Sequence, residues 1–294
     1  MAIKSYLEEH ARKLDLHLYE HLFGGASPQL VLNELATYQN ADGGFGKALE
    51  PDLRLPDSPA LATVVAFQYL SLINASPDDE LVTKAIGYLM DSYDDTRHGW
   101  TNIPPAADRF PRAPWWNYES AQIWAEWGNP SAEIFGYLLK YADVAQDGEL
   151  VQRLSKQALR RLHEIDEPEP HEVKCYIRLH GLATEELQRQ LHRPLATHIK
   201  RAAKTDPNDW HGCVATPLTF VTSLDSPFAY LFDEQLLFED AERLRRQMVD
   251  DSHWEPTWEW GQFDDDWAMA RVEWSGKITV ENLRLLSAFG IAFP

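Results

Sequence analysis

Apolar residues recur with helical spacing from one end of the chain to the other. Between Ile3 and Leu22 they fall at positions 3, 7, 14, 18 and 22, one face of a 3.6-residue period, and predict a single helix over that stretch. Ser27-Pro28, Ser58-Pro59 and Ser76-Pro77 each pair an N-cap residue with a first-turn proline. The third pair is followed by Asp78, Asp79 and Glu80, whose charges complement a helix dipole. Asn129-Pro130 opens another helix. Further helices are predicted at roughly 148–165, 170–181, 184–203, 233–249 and 278–290. A shorter one spans Tyr118 to Trp127, and one at 214–223 is interrupted by Pro217. The total is about twelve helices. No segment alternates with period 2 between hairpin turns, so the fold class is all-α. Short connections favour antiparallel neighbours.

A repeat underlies this pattern. Four loops pair a glycine with an aromatic residue: GGF at 43–45, HGW at 98–100, DWHG at 209–212 and WEWGQF at 258–263. Taking Phe45, Trp100, Trp210 and Trp260 as anchors, the separations are 55, 110 and 50 residues, a period near 55 with one unit missing around 155. Two helices and their loops fill such a unit. About six helical hairpins then close a double ring, so the expected architecture is an (α/α)6 toroid folded as a single domain over residues 1–294. The longest irregular stretches, 93–117 and 250–277, hold Trp100, Trp115, Trp116, Trp254, Trp258, Trp260, Trp267 and Trp274. Disordered loops are poor in aromatics, so both are expected to be ordered.

Charge narrows the partners. The formal net charge is −19, from 46 acidic against 27 basic residues. Nucleic acid and anionic membrane surfaces are therefore excluded as non-specific partners, since both need Lys and Arg. No run approaches the ~20 apolar residues of a membrane span. The start, MAIKSYLEEHARK, carries charges where a signal peptide needs an apolar segment, and the only cysteines are Cys175 and Cys213. These point to a cytoplasmic protein without a disulfide framework.

The segment LATYQNADGGFG, Leu35 to Gly46, resembles the repeat of terpenoid cyclases and protein prenyltransferase β subunits. There a helix ends in glutamine, followed by a polar turn and Gly-Gly-Phe or Gly-x-Trp; here those positions are Gln39, Asp42, Gly43, Gly44 and Phe45. The glycines allow a tight turn, the glutamine amide can tie that turn to a neighbouring backbone, and the aromatic caps the next hairpin. The run GGFGKALEPD and the later PWW also look like a group of bacterial toroid proteins, a likeness that implies no activity. The resemblance implies the toroid but carries over no catalytic motif. The Asp-x-Asp-Asp acid of one cyclase class is not matched by Phe263-Asp264-Asp265-Asp266-Trp267, nor the magnesium-binding Asp-Asp-x-x-Asp of the other by Asp94-Asp95-Thr96-Arg97-His98. The prenyltransferase zinc set has Asp two residues before Cys, where Cys213 has His211.

Three constellations could carry chemistry. Asp42, Glu50, Asp52 and Asp57 gather after the second helix, and Glu50-Pro51-Asp52 sets two carboxylates on a stiff segment. Neighbouring carboxylates can split into an acid and a base; the plain alternative is a turn residue and solvated or paired acids. The run WEPTWEWGQFDDDW, 254–267, interleaves Glu255, Glu259, Asp264, Asp265 and Asp266 with tryptophans. Aromatic faces stabilise carbocations or stack on sugars, while paired acids cleave glycosidic bonds. Its plain alternative is a packed loop. Third, Trp115-Trp116-Asn117-Tyr118 is a pocket wall or ordinary packing. His211 with Cys213, with or without His253, fits no zinc spacing, and no metal site is expected.

Three functions stay open from sequence: an isoprenoid-binding or cyclase-like protein, a glycoside hydrolase or lyase, and a non-catalytic scaffold. The first is the expectation taken forward. It assigns acid chemistry to Asp264 or Asp266, with Glu50 and Asp52 as further candidates. It assigns ligand contact to Asp42, Phe45, Trp100, Trp115, Trp116, Trp258, Trp260 and Trp267. No cofactor is expected unless the substrate is a diphosphate, which would bring magnesium, with Arg97, Arg109 and Arg112 as a local basic patch.

Overall fold

The computed structural model describes residues 2–119, 127–142, 148–212 and 214–293. Among them are twelve α-helices and no strand, only isolated β-bridges. The chain forms two compact units: Leu35–Ile199, and Met1–Glu34 with Lys200–Pro294. The predicted helix Tyr118–Trp127 lies largely outside the described residues, as does Cys213.

The second unit, Leu35–Ile199, holds the end of α3 (Pro28–Tyr38), then α4 (Ala60–Leu72), α5 (Glu80–Asp91), α6 (Gly128–Tyr141), α7 (Gly148–Glu164), α8 (Pro170–Leu182) and most of α9 (Glu185–Ala202). Helix α4, ALATVVAFQYLSL, is apolar nearly all round, which suits a helix packed on every side; nine of its residues are buried. Helix α6 comes close to α8 because Gly136 has no side chain: a Cβ there would sit 3.2 Å from the Leu179 Cα. Helices α7 and α9 are amphipathic, burying Leu150, Leu154, Ala158 and Leu162 on one and Leu187, Leu191, Leu195 and Ile199 on the other.

The other unit contains α1 (Ala2–His10), α2 (Lys13–Gly24), the short α10 (Pro217–Phe220), α11 (Glu234–Arg246) and α12 (Asp264–Ala288). Two expectations are corrected here. The stretch Ile3–Leu22 is two helices, not one. Arg12 takes an extended conformation (ψ 145°), and its guanidinium holds the buried Asp15 at 2.8 Å in the first turn of α2. The apolar stripe continues across the break, so periodicity alone could not reveal it. Helix α12 begins at Asp264, well before the predicted 278, so much of the expected loop 250–277 is helical. Its stripe is Trp267, Ala270, Trp274 and Lys277, and the buried lysine masks the pattern.

The aromatic turn recurs in the structure as a definite hydrogen-bonding unit. The Phe45 amide donates to the Thr63 hydroxyl of α4 at 3.0 Å, the Trp100 amide to the Ser131 hydroxyl of α6 at 2.9 Å, and the Trp254 amide to the Thr279 hydroxyl of α12 at 3.0 Å. A β-bridge closes each turn: Gln39 with Phe45, Asp94 with Gly99, and Val249 with His253. The indoles of Trp100 and Trp254 also donate to carbonyls of the preceding helices, at Leu89 (2.6 Å) and Leu244 (2.8 Å). Trp210 shares only an indole donation, to the Lys204 carbonyl just past the end of α9, at 2.7 Å. The anchor in the last repeat is therefore Trp254 and not Trp260.

Candidate functional site

The GGF turn is built as its residues suggest. The Gln39 amide donates to the carbonyls of Gly43 (2.9 Å) and Leu81 (3.0 Å), tying the turn to the start of α5. Gly43 has φ 89°, and Cβ atoms at Gly44 and Gly46 would collide with Ser58 and with the Asp57 carbonyl. Asp42 is exposed, and one of its oxygens accepts from the Gly44 amide (3.0 Å) and the Ser58 hydroxyl (2.8 Å). It is engaged as a turn residue. Tyr88 donates to the Ser58 carbonyl; burial, then the charge of Asp42, pushes its hydroxyl up to about 12. Phe45 and Trp100 are buried anchors of their turns.

Beyond this turn the chain enters Glu50-Pro51-Asp52 through two non-glycine residues in the left-handed region, Lys47 (φ 54°) and Ala48 (φ 61°). Such strain persists only where surroundings enforce it. Glu50 and Asp52 are both buried, at 7% and 3% exposure. The backbone joins this segment to the one that precedes Trp115 and Trp116. The Ala113 amide donates to the Asp52 carbonyl and the Arg54 amide to Pro111, each at 2.9 Å. Leu53 and Leu55 pack with Ile103 and Ala107, against Phe110, Trp116 and Tyr118. Arg112 braces the stretch from the other side, pairing with Asp108 at 2.9 Å and donating to the Phe110 carbonyl at 2.9 Å. Trp115 and Trp116 are half-buried on a single 3-10 turn, Pro114–Trp116.

Three buried polar atoms on this wall have no hydrogen-bond partner among the described residues: Asn102 Oδ1, Trp116 Nε1 and Asn117 Oδ1. Asn102 is itself only 3% exposed, and its carbonyl receives the Leu61 amide at the entrance to α4. An unmet buried donor or acceptor costs about 1–3 kcal/mol. Two acceptors and one donor are thus unmet along one aromatic segment, which the backbone joins to Glu50–Asp52.

The tryptophan-rich segment lies in the other unit. Trp260 is buried with its ring 5.7 Å from Trp267, and Trp258 meets Trp274 edge-on at 5.1 Å. The indole nitrogen of Trp258 is buried with no hydrogen-bond partner among the described residues. Lys277 is buried, stands 5.4 Å over the Trp274 ring and pairs with Glu281. Asp264, Asp265 and Asp266 form the first turn of α12, the first two exposed and the third half-buried. Favourable interaction with the helix dipole accounts for their placement. Glu255 is held below its ordinary range by its hydrogen bond from Arg271, at 2.7 Å.

A further cluster escaped sequence reading. Glu133 of α6 is buried, and its two oxygens accept from four donors. Tyr137 (2.6 Å) and Gln68 (3.0 Å) donate to one; Arg178 (2.8 Å) and the Cys175 thiol (3.5 Å) donate to the other. Burial, then the Glu133 charge, pushes the Cys175 thiol well up, which favours the protonated thiol over the thiolate. Glu172 is likewise saturated, clamped by Arg161 at 2.9 and 2.8 Å and receiving the Gly128 amide at 3.1 Å.

Among the described residues no group of three or more His, Cys, Asp or Glu side chains is arranged to hold a metal, and no helix is long and apolar enough to cross a membrane. No protein-family profile, curated protein or solved structure matches the chain.

Proposed function

We propose that the protein binds a polyhydroxylated, carbohydrate-like ligand on the wall formed by Glu50–Leu55 and Asn102–Tyr118. The observation that carries this reading is the trio of unmet polar atoms, Asn102 Oδ1, Trp116 Nε1 and Asn117 Oδ1, buried along a half-buried aromatic segment that the backbone joins to Glu50–Asp52. Sugars present hydroxyls that both donate and accept, and apolar ring faces that stack on indoles. A hydrocarbon would leave all three atoms unmet. The reading takes the chain as a cytoplasmic (α/α)6 toroid, supported by the count of helices and the recurring aromatic turn.

The test is a thermal-shift screen with neutral and uronic oligosaccharides, followed by binding to Trp116→Phe and Asn102→Leu. Each variant removes an unmet group, so stability should hold or rise while affinity falls at least tenfold. Unchanged affinity in both would remove the wall from the site. A product assay with Glu50→Gln and Asp52→Asn then asks whether these acids act as general acid and base on a glycosidic bond.

A second reading rests on the tryptophan pairs Trp258–Trp274 and Trp260–Trp267 near Asp264 and Asp266. Here the ligand is an isoprenoid, as the resemblance of Leu35–Gly46 to cyclase repeats implies, and magnesium enters only with a diphosphate substrate. A shift with isoprenoids but not sugars, lost in Trp258→Ala, would transfer the assignment.

A further inference from the structure

His180 lies in the last turn of α8 and His192 midway along α9, two helices joined by a two-residue turn. His192 Nδ1 and His180 Nε2 face each other at 3.3 Å, with ring centroids 5.3 Å apart and planes at 47°. His180 is 6% exposed, whereas His192 is half-buried and reaches solvent. Neighbouring Leu191 and Leu195 are fully buried, which fixes this part of α9.

An N–H···N hydrogen bond, with one of the two facing nitrogens protonated, is one explanation of the 3.3 Å contact. Convergence of both nitrogens on a third atom is the other. Two imidazole nitrogens held about 2.0–2.1 Å from a tetrahedral ion stand about 3.3 Å apart. We propose that His180 and His192 form a transition-metal site, binding Zn2+ or a similar imidazole-seeking ion such as Ni2+ or Cu2+ through His180 Nε2 and His192 Nδ1. Water completes the coordination on the exposed side of His192. Two protein ligands make the ion exchangeable.

The experiment uses chelator-treated full-length protein titrated calorimetrically with ZnCl2 and NiCl2, and Cu2+ loading read by electron paramagnetic resonance. The expected result is one ion per chain, two-nitrogen hyperfine structure, and weaker binding as pH falls from 7 to 5.5, because protons compete for the rings. His192→Ala and His192→Asn should each weaken binding at least tenfold and remove the two-nitrogen signature. His211→Ala, at an exposed histidine, should change neither. Folding of the variants is checked by circular dichroism, and the half-exposed side chain makes both substitutions tolerable. Absence of binding to the wild type, or equal binding by both His192 variants, overturns the proposal.

Discussion

Arg178→Ala gives the sharpest test of how the Leu35–Ile199 unit is held together. Arg178 donates to Glu133 at 2.8 Å; the glutamate side chain is 1% exposed and the arginine 34%. Removing one partner of a buried pair costs about 3–5 kcal/mol, because the remaining charge is stranded. Tyr137, Gln68 and Cys175 would still donate to Glu133, and water reaches the arginine's place, so the lower end applies, about 3 kcal/mol. For a unit of this size that lowers the thermal midpoint by about 6–12 °C, at ~2–4 °C per kcal/mol. Glu133→Gln alone should also destabilise, because the new NH2 must face donors on one side or the other. In the double variant the amide nitrogen can turn toward the space left by Arg178, while its oxygen keeps Tyr137 and Gln68. The double variant should then be more stable than the sum of the singles by about 1.5–3 kcal/mol. Urea unfolding followed by circular dichroism measures all four proteins. Strict additivity, or an Arg178→Ala cost under about 0.5 kcal/mol, would refute the reasoning.

Gly46→Ala should cost about 3 kcal/mol, measured by the same urea titration, since its Cβ would stand 2.0 Å from the Asp57 carbonyl, a clash with backbone that cannot rotate away. Thr63→Val, Ser131→Ala and Thr279→Val each strip the acceptor from a buried aromatic-turn amide, so each should lose about 1–3 kcal/mol. Three matching losses would support a shared turn unit, and a neutral result at Thr279 would return the last anchor to Trp260. His253 stacks on Tyr6 at 3.9 Å, and burial holds it below its ordinary range. Its contribution is complete above the unfolded value of about 6.5 and is lost as pH falls through the lower folded value. The urea midpoint should therefore drop from pH 7 to 5, and His253→Gln should flatten part of that slope.

What could be read from the sequence was what neighbouring residues decide. Helix class, the count of helices and the Gln39–Gly43 tie all follow from local period and turn chemistry. The mistaken anchor shows where local signals mislead. DDTRHGW at 94–100 and DDSHW at 250–254 each lead through a bridged turn into a buried tryptophan, but the second has no glycine, so a search for glycine beside an aromatic selects Trp260. Asp250 (φ 48°) and Asp251 (φ 50°) take left-handed conformations without a glycine, as His98 (φ 52°) does in the earlier turn, and aspartate tolerates them better than most residues. The Glu133 cluster could not be read at all. Gln68, Glu133 and Arg178 stand on three helices, 65 and 45 residues apart, and each alone resembles a solvated helix position.

The two polar groupings of this unit call for opposite explanations, and the difference is one of saturation. Both oxygens of Glu133 are engaged by donors, so the cluster can be understood wholly as a device that fixes α4, α6 and α8 in register. Nothing about it requires a ligand. The wall of Asn102, Trp116 and Asn117 is the reverse case. Three unmet groups at about 1–3 kcal/mol each are a large fraction of a domain's typical ~5–15 kcal/mol stability. Leucine or phenylalanine at these positions would avoid that cost while filling similar volume. A chain that saturates Glu133 and Glu172 so fully has the means to satisfy buried polar groups. On the proposed reading, a bound molecule supplies the groups that Asn102 and Trp116 lack.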